Sequence, residues 1–176
     1  LVFGGRRGAR AINYALLDIV PNLIADNMQI IHLTGTLDWP DIEKRRSALP
    51  DTTHYHAFPY LHSEMALALA AADLVVSRSG AVVLGEFTVF GLPSVLIPYP
   101  HAWRYQKVNA DYLANRGAAI YMDESTMAET LLSTVRDLLN DSARLETMRK
   151  AAQTLAKPDA AKDAAKALAE LAGGRA

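Results

Sequence analysis

Two short segments carry residue types suited to gripping an anion. Gly4-Gly5-Arg6-Arg7-Gly8-Ala9-Arg10 and Ser77-Arg78-Ser79-Gly80-Ala81 each follow an apolar run and open a helical pattern. Glycines at such a turn let backbone N–H groups crowd toward a negative group at a helix N-terminus, where the dipole favours it. Each segment also reads as a tight strand-to-helix turn, with Ser77 or Ser79 capping the helix and the arginines simply solvated. The first is not the dinucleotide fingerprint, because its glycine spacing differs and no acidic residue ends the second strand. Glu86 stands in an otherwise apolar stretch (Val82, Val83, Leu84, Phe87, Val89, Phe90). Its carboxylate either faces solvent or accepts two hydroxyl hydrogen bonds from a ribose diol.

A third polar cluster follows Gly91-Leu92-Pro93, a turn leading into the apolar run 94–97 and then into a polar loop. His101, Arg104, Gln106 and Asn109 surround the start of the next helix, with Gln106 and Asn109 three apart and on one face. Amides offer the donors and acceptors that sugar hydroxyls need, although capping and surface polarity explain them too. His101 lacks a carboxylate partner nearby in sequence, so no catalytic role is assigned to it. His32, His54, His56 and His62 raise the question of a metal. Only His54 and His56 share a side of a strand, without a second ligand pair at helical spacing, and ordinary polar strand positions are the expectation.

The elements that must carry these groups follow from periodicity. Unalternating apolar runs predict strands at 1–3, 29–33, 54–57, 74–77, 94–97 and 118–121. Helices are predicted over 8–25, 39–49, 61–72, 82–90, 104–116, 125–139, 142–155 and 159–171. Strands alternating with helices imply βαβ units and a parallel sheet covered on both faces, a Rossmann-like α/β fold. Both glycine loops and the polar loop after 94–97 then leave carboxyl ends of strands, where open α/β sheets place ligands. Residues 1–157 form the domain. Pro158 breaks the chain before a weakly amphipathic helix within 158–176, with Asp159 a candidate cap, and this helix either docks elsewhere or is solvated.

Composition narrows the classes. The 176 residues suffice for one domain, half of them are hydrophobic, and the net charge is −1, so no basic excess argues for nucleic acid. The absence of cysteine excludes disulfides, thiolate metal sites and a cysteine nucleophile. No apolar run reaches the roughly 18 residues that cross a bilayer, and no signal peptide is visible. Leu1-Val2-Phe3 reads as the end of a strand, so the chain is expected to be a fragment without its N-terminal portion.

Taken together and in order, these motifs closely resemble the C-terminal half of the MurG family of N-acetylglucosaminyltransferases. The matching segments are the first glycine loop (Gly-Gly-Ser-Gln-Gly-Ala-Arg in the family), residues 72–81, Gly91-Leu92-Pro93 through Pro100-His101, and Gln106 to Ala110, the family's Gln-x-x-Asn-Ala. The resemblance runs from Leu1 to Pro158-Asp159-Ala160. It implies the donor-binding half of a two-domain GT-B glycosyltransferase that moves N-acetylglucosamine from UDP to lipid I in peptidoglycan synthesis. It implies no metal and no cofactor, inversion at the sugar, and UDP stabilised by amide dipoles. The acceptor site and catalytic base would belong to an N-terminal domain, so the fragment alone would be inactive. The whole enzyme would sit peripherally on the cytoplasmic face of the bacterial membrane.

The implied substrate-binding residues are Gly5, Arg6, Gly8, His62, Ser79, Gly80, Ala81, Val82, Glu86, Tyr105, Gln106 and Asn109. Among them, Glu86 would bind the ribose, amides around Arg6, Ala81 and Val82 the diphosphate, and the main chain at Leu61-His62 the uracil. Gln106 and Asn109 would hold the sugar. This chain departs from the pattern with Arg6-Arg7 in place of Ser-Gln, Tyr105 in place of Gln or His, and Val83 in place of a frequent Thr. The arginines either strengthen the grip on a diphosphate or shield the loop. Another GT-B transferase and a non-catalytic nucleotide-binding or interaction module are the alternatives.

Overall fold

All six apolar runs become strands, and all pair in parallel. They are β1 (Val2–Phe3), β2 (Ile30–Leu33), β3 (Tyr55–Phe58), β4 (Val75–Ser77), β5 (Ser94–Leu96) and β6 (Ala119–Tyr121), in the order β3-β2-β1-β4-β5-β6. Parallel neighbours cannot be joined by tight hairpins, so each link crosses over the sheet. The computed structural model describes residues 1–102 and 105–173. Its helices are α1 (Arg10–Ala25), α2 (Trp39–Ser47), α3 (Met65–Ala71), α4 (Tyr105–Ala114), α5 (Met127–Leu139), α6 (Ser142–Thr154) and α7 (Ala160–Gly173). Arg104, expected at the start of the helix after β5, lies outside the described residues.

The chain first builds outward from β1 to β3, then returns across the sheet to lay β4 on the other side of β1 and builds outward to β6. The strand order therefore reverses between β1 and β4. Connections leaving these two strands run in opposite directions and open a crevice at their carboxyl ends. Register keeps the rim level: Phe3 sits opposite both Leu33 and Ser77.

Two cores clamp the sheet, and strand geometry assigns residues to them. Successive side chains point to opposite faces, so Val75 and Leu96 face one core while Val76 and Val95 face the other. Ile12, Leu16 and Val20 of α1, with Leu131 and Leu138 of α5, bury the Val76 face. Leu69 of α3, Val83, Phe87 and Leu113 of α4 bury the Val75 face. Burial on both sides explains why the strands lack alternation. α6 spans the two, giving Met148 to one core and Ala152 to the other. α7 has no buried residue, and its Leu168 and Leu171 are exposed.

Two expectations change. The helix predicted over 82–90 is π-helical from Val83 to Phe87, with the Thr88 hydroxyl 2.9 Å from the carbonyl oxygens of both Leu84 and Gly85. Wider π turns shift carbonyls out of α register, and a hydroxyl beneath them gives one a donor. Neither Ser77 nor Ser79 caps that helix: the Ser77 hydroxyl donates to the Arg78 carbonyl and the Ser79 hydroxyl to the Gln106 carbonyl.

Candidate functional site

A cleft of about 740 Å³ opens where the strand order reverses, bordered by the loop after β1, the loop after β4, the loop after β2, and residues beyond β5 and β6. Gly5 and Gly8 lie at φ +86° and +83°, the left-handed region. Gly8 is needed for a second reason, since a Cβ there would stand 2.1 Å from the Thr34 carbonyl oxygen. The loops after β1 and β2 thus press backbone against backbone. Ala9, the residue before α1, provides no side-chain cap, so the first-turn amides of α1 lack an intrahelical or side-chain acceptor where Ala9, Arg10 and Ala11 line the cleft.

From the exposed Arg10 in this wall a polar chain runs into the core. Arg10 Nε donates to Asp38 Oδ1 at 3.0 Å, and Asn13 Nδ2 donates to Asp38 Oδ2 at 2.9 Å and to the Thr34 carbonyl at 2.8 Å. Asn13 therefore turns its Oδ1 to His32, whose Nε2 at 2.9 Å must carry the proton. His32 Nδ1 then accepts from the Tyr55 hydroxyl at 2.8 Å. Burial drives the His32 pKa down to about 3 and pushes the Tyr55 hydroxyl up, so both stay neutral. The neutral imidazole links α1, β2 and β3 with every hydrogen-bonding atom matched. Asp38, which comes after β2 rather than at its end, lines the cleft with both carboxylate oxygens already taken by Arg10 and Asn13.

On the other side, Arg78 is the stitch. Its guanidinium donates to the carbonyls of Ile97 at 3.2 Å and Pro98 at 3.3 Å, pairs with Glu124, and lies 5.3 Å from the centre of the Tyr99 ring. Asn109 Nδ2 donates to the Ser79 carbonyl at 2.9 Å, and the Tyr99 amide donates to Gln106 Oε1 at 2.9 Å. The loops after β4 and β5 and the first turn of α4 are thereby one rigid rim. One half of each amide is committed to the rim, leaving Gln106 Nε2 as a donor and Asn109 Oδ1 as an acceptor.

Of the residues singled out from sequence, Gly5, Gly8, Gly80, Val82 and Gln106 line the cleft. Ser79 and Asn109 stand behind the rim through the bonds just described. Arg6, Ala81, Glu86 and Tyr105 are solvent-exposed and outside the cleft wall, Glu86 on the π-helical turn. His62 is exposed beyond β3, edge-on to Tyr60 at 4.8 Å. His101 packs edge-on against Tyr99 at 5.5 Å. His32 is not an ordinary polar strand position but fully buried, while His54 and His56 both meet Gln29. Among the described residues no three His, Cys, Asp or Glu side chains gather as a metal site. Sequence reasoning passed over Asp38, Asn13, Tyr99 and Glu124. The one available signal was a polar residue repeated beside strand ends, and it does not name partners.

Comparison with known proteins places this architecture. The model of the glycosyltransferase family 28 C-terminal domain matches residues 1–164. The chain belongs to that family. Relatives of family 28 include a UDP-N-acetylglucosamine–N-acetylmuramyl-(pentapeptide) pyrophosphoryl-undecaprenol N-acetylglucosamine transferase of Desulforamulus reducens. It is 40% identical, over 97% of this chain and 48% of its own length. The protein of the same name from Roseiflexus sp. is 41% identical over 92% of this chain and 41% of its own length. The chain thus spans about half the length of the curated relatives it matches. Among solved structures, MurG of Acinetobacter baumannii superposes with a TM-score of 0.81 at 26% identity, covering 96% of this chain and 48% of that one. A UDP-GlcNAc 2-epimerase from Neisseria meningitidis, at 13% identity and a TM-score of 0.63 over 96% of this chain and 43% of its own, shares the fold alone.

Proposed function

We propose that this family 28 domain holds UDP-N-acetylglucosamine, and that in the longer protein the sugar passes to a lipid-linked N-acetylmuramyl-pentapeptide acceptor. The observation that carries this reading is the uncapped α1 N-terminus behind the Gly5–Gly8 turn, facing the second glycine loop across the crevice at the β1/β4 reversal. Unpaired amides at a positive helix end suit a diphosphate, and the names of the relatives supply the nucleotide sugar.

Transfer in this scheme breaks the bond between the sugar's C1 and the β-phosphate oxygen, and that oxygen keeps both electrons. The acceptor hydroxyl forms the new bond to C1 from the opposite side, giving inversion, and a base contributed by the rest of the protein takes its proton. This domain's part is to orient the donor and to spread the charge left on UDP over fixed amide dipoles. Glu86 accepts from the ribose hydroxyls, the main chain near His62 meets uracil, and Gln106 and Asn109 hold the sugar. α7 docks its apolar Leu168–Leu171 stripe against the remainder of the protein. No described helix is long and apolar enough to cross a membrane, and membrane association of the longer protein is peripheral in this reading.

Calorimetric titration with UDP, UDP-N-acetylglucosamine and UDP-glucose tests the proposal. Selective response to the N-acetyl sugar supports it, and failure of UDP to bind sinks it. Glu86→Ala is expected to weaken UDP at least about fivefold, roughly 1 kcal/mol for a charged hydrogen bond. Unchanged affinity removes Glu86 from the ribose site.

A further inference from the structure

Among the described residues, three guanidinium groups line the cleft: Arg7, Arg10 and Arg78. Two of them are already matched there. Arg10 is held by Asp38 at 3.0 Å, with Asp38 itself buried, and Arg78 is held by Glu124 and two backbone carbonyls. Asp38 and Glu124 also line the cleft, so these four groups cancel. Arg7 makes no ion pair and no side-chain hydrogen bond among the described residues. Among the described residues it is the one cation of the wall whose charge is uncompensated.

We infer that Arg7 is the specificity-determining residue for the diphosphate, reading the ligand's negative charge directly, while Arg6 beside it does not. This rests on the UDP reading above. The backbone around Arg7 is fixed, not loose. Gly5 and Gly8 bracket it at left-handed φ, and a Cβ on Gly35 would lie 2.4 Å from the Arg7 carbonyl carbon. A planar guanidinium on such a base matches phosphate oxygens two at a time, and its free donors have no competing carboxylate. Arg6 is exposed and outside the wall, although its carbonyl accepts from the Thr36 amide at 3.4 Å. The pattern this loop resembles has an uncharged Gln at the Arg7 position, so the cation is a property of this chain.

The test compares wild type, Arg7→Gln and Arg6→Gln by titration with two probes, UDP and uridine. Both side chains are exposed, so neither change should disturb folding, and melting temperatures within a degree or so of wild type will confirm that. Arg7→Gln is expected to weaken UDP about tenfold at low ionic strength, about 0.05 M, and to leave uridine unchanged. The gap should shrink to about threefold near 0.5 M salt, where the Debye length is only a few ångströms. Arg6→Gln should keep UDP affinity within about twofold, because an exposed charge away from the wall is screened.

Equal UDP affinity for wild type and Arg7→Gln overturns the inference and leaves the UDP reading intact. A loss for Arg6→Gln as large as for Arg7→Gln also overturns it, replacing a specific contact with a diffuse field. Absence of any UDP binding by wild type overturns both.

Discussion

Lowering the pH from about 7 to about 5 puts a direct load on the buried chain behind the cleft. His32 is held neutral with a pKa near 3, whereas an unfolded histidine titrates near its ordinary 6.5. Its folded-state value is depressed, so below pH 6.5 the unfolded chain takes up the proton first. Stability from this group is therefore complete above about pH 6.5 and declines as pH falls toward 3. Between pH 7 and 5 the unfolded state gains about 1.5 pH units of proton binding that the folded state refuses. That amounts to about 2 kcal/mol. In urea, with an m-value of about 2 kcal/mol/M for a domain of this size, the midpoint moves down by about 1 M. His32→Gln supplies the reference: glutamine keeps a donor and an acceptor but does not titrate, and every other group that titrates in this window is common to both proteins. The wild-type midpoint should fall about 1 M further than the variant's. Parallel pH profiles for the two proteins would refute a buried neutral imidazole joining Asn13 to Tyr55.

Three further substitutions probe the frame of the cleft. Gly8→Ala should cost at least about 3 kcal/mol in chemical denaturation, combining a left-handed φ with a Cβ 2.1 Å from the Thr34 carbonyl oxygen. Gly80→Ala, with nothing within 4 Å of its added Cβ, should stay within about 0.5 kcal/mol of wild type. Equal costs at the two glycines would remove the argument for loop-on-loop packing. Asn109→Ala deletes the bond to the Ser79 carbonyl and should lower stability by about 1 kcal/mol. Amide exchange in the loop after β4 should quicken with it, and unchanged exchange there would mean the rim is not tied through Asn109.

Much of the fold was legible in the sequence because burial on both faces leaves a local mark. Each short run of Val, Ile and Leu, such as 74–77 and 94–97, became a strand within a residue or two, and each 3.6-period stretch between them became a helix. Two helices depart from their predicted form. The predicted helix over 61–72 forms only from Met65, and that over 82–90 passes through a π turn with the Thr88 hydroxyl beneath it. Of the site, the first glycine turn was legible because left-handed φ at Gly5 and Gly8 demands glycine. The order of motifs also matched the family to which the chain belongs.

Partnership was not legible. Arg10 and Asp38 are 28 residues apart, Asn13 and Thr34 21, and Asn109 and Ser79 30. Nothing local told a serine that would cap its own helix from one that ties α4 to the loop after β4. Nor did anything local separate a solvated arginine from one clasped by Glu124. A residue pattern records which side of its own segment meets oil or water, and that is enough to determine the elements and their order. Which charges cancel and which remain open to a ligand depends on the sheet's reversal between β1 and β4, which brings loops from distant parts of the chain onto one rim.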